Sequence, residues 1–425
     1  MDAVRGVMPE SGSWALGRGG TGAAASTGWA APHWRQNAWV APTWFPQWLQ
    51  KGIYLYLRYA TGICSGKLPA SCRARRPLGH ANILAMWKLR SAILLMAVVA
   101  ALPAAGKLEI YCIDVEGGKA TLWVSPSGES MLVDAGWPGN NHRDAERIAA
   151  AAKAAGVRKI DYLVITHFHT DHAGGVPQLA EKMPIRNFVD HGANTETGQP
   201  AEVLFGEYAR FRDKGNHIVV KPGDKLPIKG LDVEIVSSDG ALIASPLAGA
   251  GAGAGRPNPD CTGLQPPPPD HTENARSIGM VVTYGNFRAV DLGDLTKDKE
   301  YGLVCPDNKL GTVQLFMVSH HGIDASNSAA LVHALHPQVA IVDNGAHKGG
   351  AADVWQLIHA SPGLEDLWQL HYSVDAGKDH NSSDPFVANI DEICRAQWLK
   401  VTVEKDGEFL VWNQRNKFEK TYNKR

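Results

Sequence analysis

The 425-residue sequence predicts an α/β protein, and three kinds of segment carry that expectation. Short apolar runs rich in β-branched and aromatic residues end in polar turns, as in Ile160-Asp161-Tyr162-Leu163-Val164-Ile165 before Thr166. Such runs suit buried strands. Behind that strand, Gln178 to Met183 suits a helix. Near the end, Trp398 to Trp412 alternates apolar and polar residues around Lys405-Asp406-Gly407, which is the pattern of a hairpin expected to finish a second sheet.

The chain opens on different material. Residues 1–85 hold six of the thirteen Trp, and nine Lys or Arg against only Asp2 and Glu10, with no sustained 3.6- or 2-residue period. They are expected to be a disordered, non-native or leader extension upstream of a true start at Met86. An organelle-targeting peptide shares their charge bias. Residues 86–106 read as a secretory signal peptide: Lys88 and Arg90, an apolar run from Ala92 to Leu102, then small residues. A run of eleven is too short for a bilayer, which needs about twenty. Localisation is accordingly expected to be secreted or periplasmic, with no membrane span after cleavage.

The domain proper is expected over 107–415. Its chemistry is densest at Thr166-His167-Phe168-His169-Thr170-Asp171-His172-Ala173-Gly174-Gly175, an H-x-H-x-D-H run on a strand-to-helix loop. Each buried ring nitrogen needs a partner, so crowded imidazoles are hard to explain without a metal. Imidazole nitrogen and carboxylate oxygen are what zinc and related ions prefer. Alternation along an extended segment sends His167 and His169 to one side. Asp171 and His172 fall in the turn that opens the helix, so two ligand pairs on one loop suggest two ions.

At this point the chain resembles the metallo-β-lactamase-fold hydrolases. The resemblance implies a four-layer αββα sandwich with a metal centre, usually two Zn²⁺, at one edge; iron or manganese would suit the same donors. Asp134, closing Met131-Leu132-Val133-Asp134, matches an Asp that orients the ligand loop. Asp294 in Ala289-Val290-Asp291-Leu292-Gly293-Asp294 matches a carboxylate bridging both ions. In Ser319-His320-His321-Gly322, His321 precedes Gly as the family's late ligand does, leaving His320 to face substrate. The resemblance thus implies His167 and His169 on one ion, Asp171, His172 and His321 on the other, Asp294 between them, and Asp171 and His320 as catalytic groups.

One position departs from the family. A further ligand usually lies between the H-x-H-x-D-H run and the bridging Asp, and here His191, His217 and His271 compete for it. His191 ends an expected strand, Arg186 to Asp190, which favours it. Three segments resemble the hydrolase domain of bacterial DNA-uptake channel proteins and the bacterial choline-phosphate esterases: Asp114 to Ala120, Pro126 to Gly136, and Ser319 to Ser328. Where those proteins have Gly-Gln-Gly-Asp this chain has Glu116-Gly117-Gly118-Lys119, on the substrate side.

The remaining elements follow in order. Residues 240–270 carry a Gly/Ala tract and Pro266 to Pro269, too poor in core formers to bury a core, and are expected to be a mobile insertion loop or linker, either neutral or hanging over the site. Val339 to Gly345 reads as a strand with a polar end; His371 and His380 are candidate substrate contacts; residues 416–425 read as a basic tail. Cys112, Cys261, Cys305 and Cys394 can pair in an exported protein or remain buried thiols, and none falls in a ligand motif.

Charge narrows the partners. The whole chain carries 42 basic and 43 acidic residues; without residues 1–106, which hold eleven basic and two acidic, 31 face 41, or −10. An acidic domain grips phosphate backbones poorly, so there is no strong nucleic-acid signal. The expected function is hydrolysis of an ester or phosphodiester bond in a small-molecule substrate. A non-hydrolytic metal-binding or regulatory protein and an iron-containing oxidoreductase are the competing readings. Nothing in the sequence fixes the oligomeric state.

Overall fold

The computed structural model describes residues 106–425. The proposed extension at 1–85 and all of the signal-type segment but Gly106 lie outside the described residues. Two sheets pack face to face with helices outside both, the αββα arrangement expected. One sheet contains β1 (Leu108–Cys112), β2 (Thr121–Val124), β3 (Ser130–Val133), β4 (Ile160–Val164), β5 (Ile185–Asp190) and β6 (Asn216–Val219). The other contains β7 (Lys225–Leu226), β8 (Asp232–Ser238), β9 (Ala241–Leu242), β10 (Gly279–Tyr284), β11 (Phe287–Asp291), β12 (Leu315–Met317), β13 (Val339–Val342), β14 (Asp366–His371) and β15 (Val387–Asn389). From the chain's end, β16 (Leu399–Val403), β17 (Phe409–Asn413) and β18 (Glu419–Tyr422) join the first sheet, in the order β18-β17-β16-β1-β2-β3-β4-β5-β6.

Strand alternation sorts the apolar side chains into three cores. Leu108 and Ile110 of β1 and Leu315 and Met317 of β12 point into the space between the sheets, with Trp123 and Trp368. Tyr111 and Phe316, one residue out of phase, point outward to the helices. On the first sheet these are α1 (Arg143–Ala154), α2 (Thr170–Ala173), α3 (Val176–Lys182) and α4 (Ala201–Arg212). On the second they are α5 (Lys297–Val304), α6 (Ala329–Leu335) and α7 (Ala352–His359). Where both faces are covered, as at β2, β3, β12 and β13, every residue of the strand is buried, which is why such runs are continuous in the sequence.

Three expectations are corrected. The terminal hairpin exists, but β16 pairs with β1, placing it in the first sheet rather than the second. Residues 416–425 are not a free tail: β18 pairs with β17, and Tyr422 is buried with its hydroxyl donating to Asp366. The stretch 240–270 is tied down. Leu247 and Ala250 are buried, Asn258 donates to the carbonyls of Val304 and Ala330, and Cys261 is bonded to Cys305. Arg288, where β11 begins, donates to Ala250, so the Gly/Ala tract anchors opposite the end of β11 that leads to Asp294. Among the described residues Cys112 and Cys394 are free thiols, and one disulfide forms where two were possible.

Strand direction positions the site. β3, β4 and β5 run parallel, as do β11, β12, β13 and β14. Their carboxyl ends deliver Asp134, His167, Asp294, His320, His321 and Asp343 to one edge, where ligands of parallel sheets collect.

Candidate metal centre

The turns at that edge are built tightly. Thr166 donates from its backbone N and its hydroxyl to the two oxygens of Asp134, both at 2.8 Å. This fixes the exit of β4, after which α2 opens on Thr170 and brings Asp171 and His172 inward. Gly293, at φ 57°, lies against Thr166, and a Cβ there would sit 2.9 Å from the threonine side chain. Only glycine lets the turn after β11 come this close and carry Asp294 in. His320 and His321 both occupy left-handed backbone (φ 52° and 54°), a costly conformation for histidine that persists only when its surroundings impose it.

Four donor atoms converge. Asp171 Oδ2 lies 3.4 Å from His172 Nε2 and 3.1 Å from His321 Nε2, and the two imidazole nitrogens are 3.2 Å apart. Asp294 Oδ2 lies 3.2 Å from His172 Nε2 and 3.5 Å from His321 Nε2. Donors bonded at about 2.1 Å around a tetrahedral zinc stand about 3.4 Å apart, so these four residues fit an ion. A second group shares Asp294: His167 Nε2 is 3.8 Å from Asp294 Oδ2 and 3.0 Å from His169 Nδ1. His320 Nε2 is also 3.4 Å from Asp294 Oδ2, and Asp294 Oδ1 is buried without a hydrogen-bond partner.

Hydrogen-bond accounting shows which nitrogen of each ring the protein engages. The Ser326 hydroxyl donates to the Leu295 carbonyl, so at 3.2 Å it accepts from His320 Nδ1. The Thr166 hydroxyl donates to Asp134, so at 3.1 Å it accepts from His167 Nδ1. His172 Nδ1 donates to Asp134 at 2.8 Å, and His321 Nδ1 faces Asp343 Oδ1 at 3.4 Å. His169 turns its Nε2 to Glu196 at 3.1 Å. Four imidazoles, those of His167, His169, His172 and His320, thus give one nitrogen to a protein acceptor, and His321 turns its Nδ1 to the Asp343 carboxylate. All five aim the other nitrogen into a common space, the arrangement that orients metal-binding histidines.

The field of the site favours positive charge. Burial alone would lower the His321 imidazole, but Asp294 and Asp343 raise it to about 10. His172 is likewise raised, against burial, by Asp294, Asp171 and Asp134. Asp171 and Asp294, despite burial, are held below the usual carboxylate range by the neighbouring imidazoles. His167 is lowered by burial and by its nearness to His172, which keeps it neutral. Beneath His321, the fully buried Lys119 contacts Asp343 at 3.1 Å and Asp291 at 3.2 Å. Burial would lower this ammonium, and the two carboxylates reverse that and raise it.

His167, His169, Asp171, His172, Asp294, His320 and His321 are therefore brought together, with Asp134 supporting them. His191 is not. Its Nε2 pairs with buried Glu273 at 2.7 Å, and Glu273 also binds Thr195 and the backbone of Phe168. His191 thus braces the ligand loop and does not complete its shell. His217 pairs with Asp190, and His271 is exposed. His371 is buried against Asp114, and His380 packs on Trp355, so neither faces the cluster. Glu196, Lys348 and the role of Lys119 were not legible beforehand, because these residues come from loops with no local pattern. Asn274 could have been suspected: its Oδ1 is a buried acceptor without a partner, and its Nδ2 lies 3.5 Å from His320.

The chain is similar to known proteins over part of its length. Residues 114–254 match the family model described as metallo-beta-lactamase superfamily. The chain is 23% identical over 240 residues to Recombination protein 2 of Haemophilus influenzae, covering 56% of this chain and 24% of that protein. It is 25% identical over 234 residues to Competence protein ComA of Neisseria gonorrhoeae, covering 53% and 27%. A shorter stretch of 121 residues is 34% identical to hydroxyacylglutathione hydrolase of Klebsiella pneumoniae, covering 28% and 38%. The chain thus spans about a quarter of the length of the first two relatives.

Proposed function

Because the chain belongs to the metallo-β-lactamase superfamily by its sequence match, fold and ligand run, we propose that it is an exported, metal-dependent hydrolase using two zinc ions to cleave an ester or phosphodiester bond. One observation carries this reading: five imidazoles, four hydrogen-bonded through one nitrogen and His321 facing Asp343 through its own, present the other nitrogen beside Asp171 and Asp294. Asp171, His172 and His321 would hold one ion, His167 and His169 the other, and Asp294 both. Bound there, the ions would supply an activated water at neutral pH and polarise the scissile group. The chain's own residues do the rest. Asp171 accepts a proton, Asp134 and Asp343 keep His172 and His321 oriented, and His320, held by Ser326, faces the reacting centre with its Nε2 beside Asn274. The signal-type segment and the Cys261–Cys305 disulfide support an oxidising, exported location.

The test is metal analysis together with a panel of bis(p-nitrophenyl) phosphate, thioester, lactone and cephalosporin substrates. Wild-type protein is expected to bind about two zinc ions and turn over an ester or phosphodiester. Asp171→Ala and His167→Ala are each expected to lose bound zinc and at least about a hundredfold in rate. Full activity in either variant would refute the assignment. Bound iron would favour the oxidoreductase reading, and bound zinc with no turnover a binding role.

A further inference from the structure

The segment between β13 and α7 carries a lysine whose position the ligand assignment does not explain. Lys348 Nζ contacts Asp171 Oδ2 and lies 4.7 Å from the centroid of the Trp137 ring, with its side chain 39% exposed. Its loop is held against the metal edge by glycines. Gly350 N donates to the His321 carbonyl at 2.7 Å, and Gly345 N donates to Lys348 O. Gly349, at φ 78°, lies so near His321 that a Cβ would stand 2.2 Å from the carbonyl oxygen. On the other side Gly117 leaves room for the lysine stem, since a Cβ there would fall 2.9 Å from Lys348 Cβ. The ammonium is therefore placed by the same backbone that places a metal-ligating histidine.

The nearby cations differ from it. Arg143 is engaged by Asp144 and Glu116, Arg147 by Asp114 and Glu116, and Lys119 is buried under Asp343. A half-exposed lysine–carboxylate pair contributes little to stability, about 0–1 kcal/mol, so folding does not require one here. An ammonium has three donors, and Asp171 occupies one. The others remain open beside the donor cluster, with the Trp137 face shielding one flank.

We propose that Lys348 is the substrate-recognition residue of this centre, receiving a negatively charged oxygen next to the scissile bond. The substrate class is therefore an anionic phosphoester, a phosphodiester foremost, rather than a neutral ester or lactone. This rests on the hydrolase reading above, and its test separates the two. Full-length, zinc-loaded wild-type, Lys348→Met and Lys348→Arg proteins are compared on bis(p-nitrophenyl) phosphate and on uncharged p-nitrophenyl acetate. Binding of inorganic phosphate is followed by calorimetry, and bound zinc is measured in every sample.

Lys348→Met is expected to raise KM for the diester about tenfold, more than it lowers kcat, and to weaken phosphate binding about tenfold with zinc retained, the size of one charged hydrogen bond. The ratio of diester to acetate turnover falls accordingly, and Lys348→Arg restores most of it. Unchanged phosphate affinity, equal losses on both substrates, or loss of zinc from Lys348→Met would each overturn the proposal. If the wild type hydrolyses neither substrate, the hydrolase reading fails, and the phosphate arm still decides the role of Lys348.

Discussion

His321 shows at the scale of one residue how strongly this edge attracts positive charge. Its imidazole is buried, yet Asp294 and Asp343 raise it to about 10, against about 6.5 for an ordinary histidine. In metal-free protein the stabilisation from its protonated form is fully present below about pH 6.5 and is lost as pH rises through about 10. A metal ion competes with that proton, because ligation needs the bare nitrogen. Zinc binding at pH 8 is therefore expected to release protons, and to release fewer in His321→Ala. Calorimetric titrations in two buffers of different ionisation enthalpy measure this directly; buffer-independent heats would contradict it.

At the scale of elements, strand ends were the legible part. Val133-Asp134, Ile165-Thr166-His167 and Val318-Ser319-His320-His321 each read as an apolar run stopped by chemistry, and each lies at the same edge. Pairing partners were not legible. Nothing in Leu399 to Asn413 says that the hairpin meets β1, because its alternation fits either sheet. The same limit misdirected His191: a histidine at a strand end looks like a ligand until Glu273, eighty-two residues away, takes its Nε2. The insertion at 240–270 was misjudged because composition hides anchors, among them the Cys261 link to Cys305 across 44 residues. Closing a loop of that length stabilises a fold by about 2–4 kcal/mol. Cys261→Ser with Cys305→Ser is expected to lower unfolding stability by that amount in denaturant titration while leaving bound zinc unchanged. Loss of zinc would mean that the insertion supports the site after all.

For the whole molecule, the donors come from both halves of the sandwich: Asp171 and His172 follow β4 of the first sheet, Asp294 and His321 follow β11 and β12 of the second. An ion bound among them would tie the two sheets together at one edge. Ligand binding at a hundredfold over Kd stabilises by about 2.7 kcal/mol. Removing metal with a chelator is thus expected to lower Tm by about 5 °C or more, and adding zinc back should restore it. An unchanged Tm, with metal analysis confirming its removal, would show that the sheets hold without the clamp. Lys119 adds a consequence of a different kind. Beneath and among the donor atoms lie five carboxylates, those of Asp134, Asp171, Asp291, Asp294 and Asp343, with Lys119 as their fully buried cation. At the rim, Glu196 pairs with His169 and Lys348 with Asp171. The carboxylates outnumber the buried cation, so this edge attracts further positive charge, which bound metal ions would supply. In their absence protons on His172 and His321 supply part of it, because the same carboxylates raise both imidazoles.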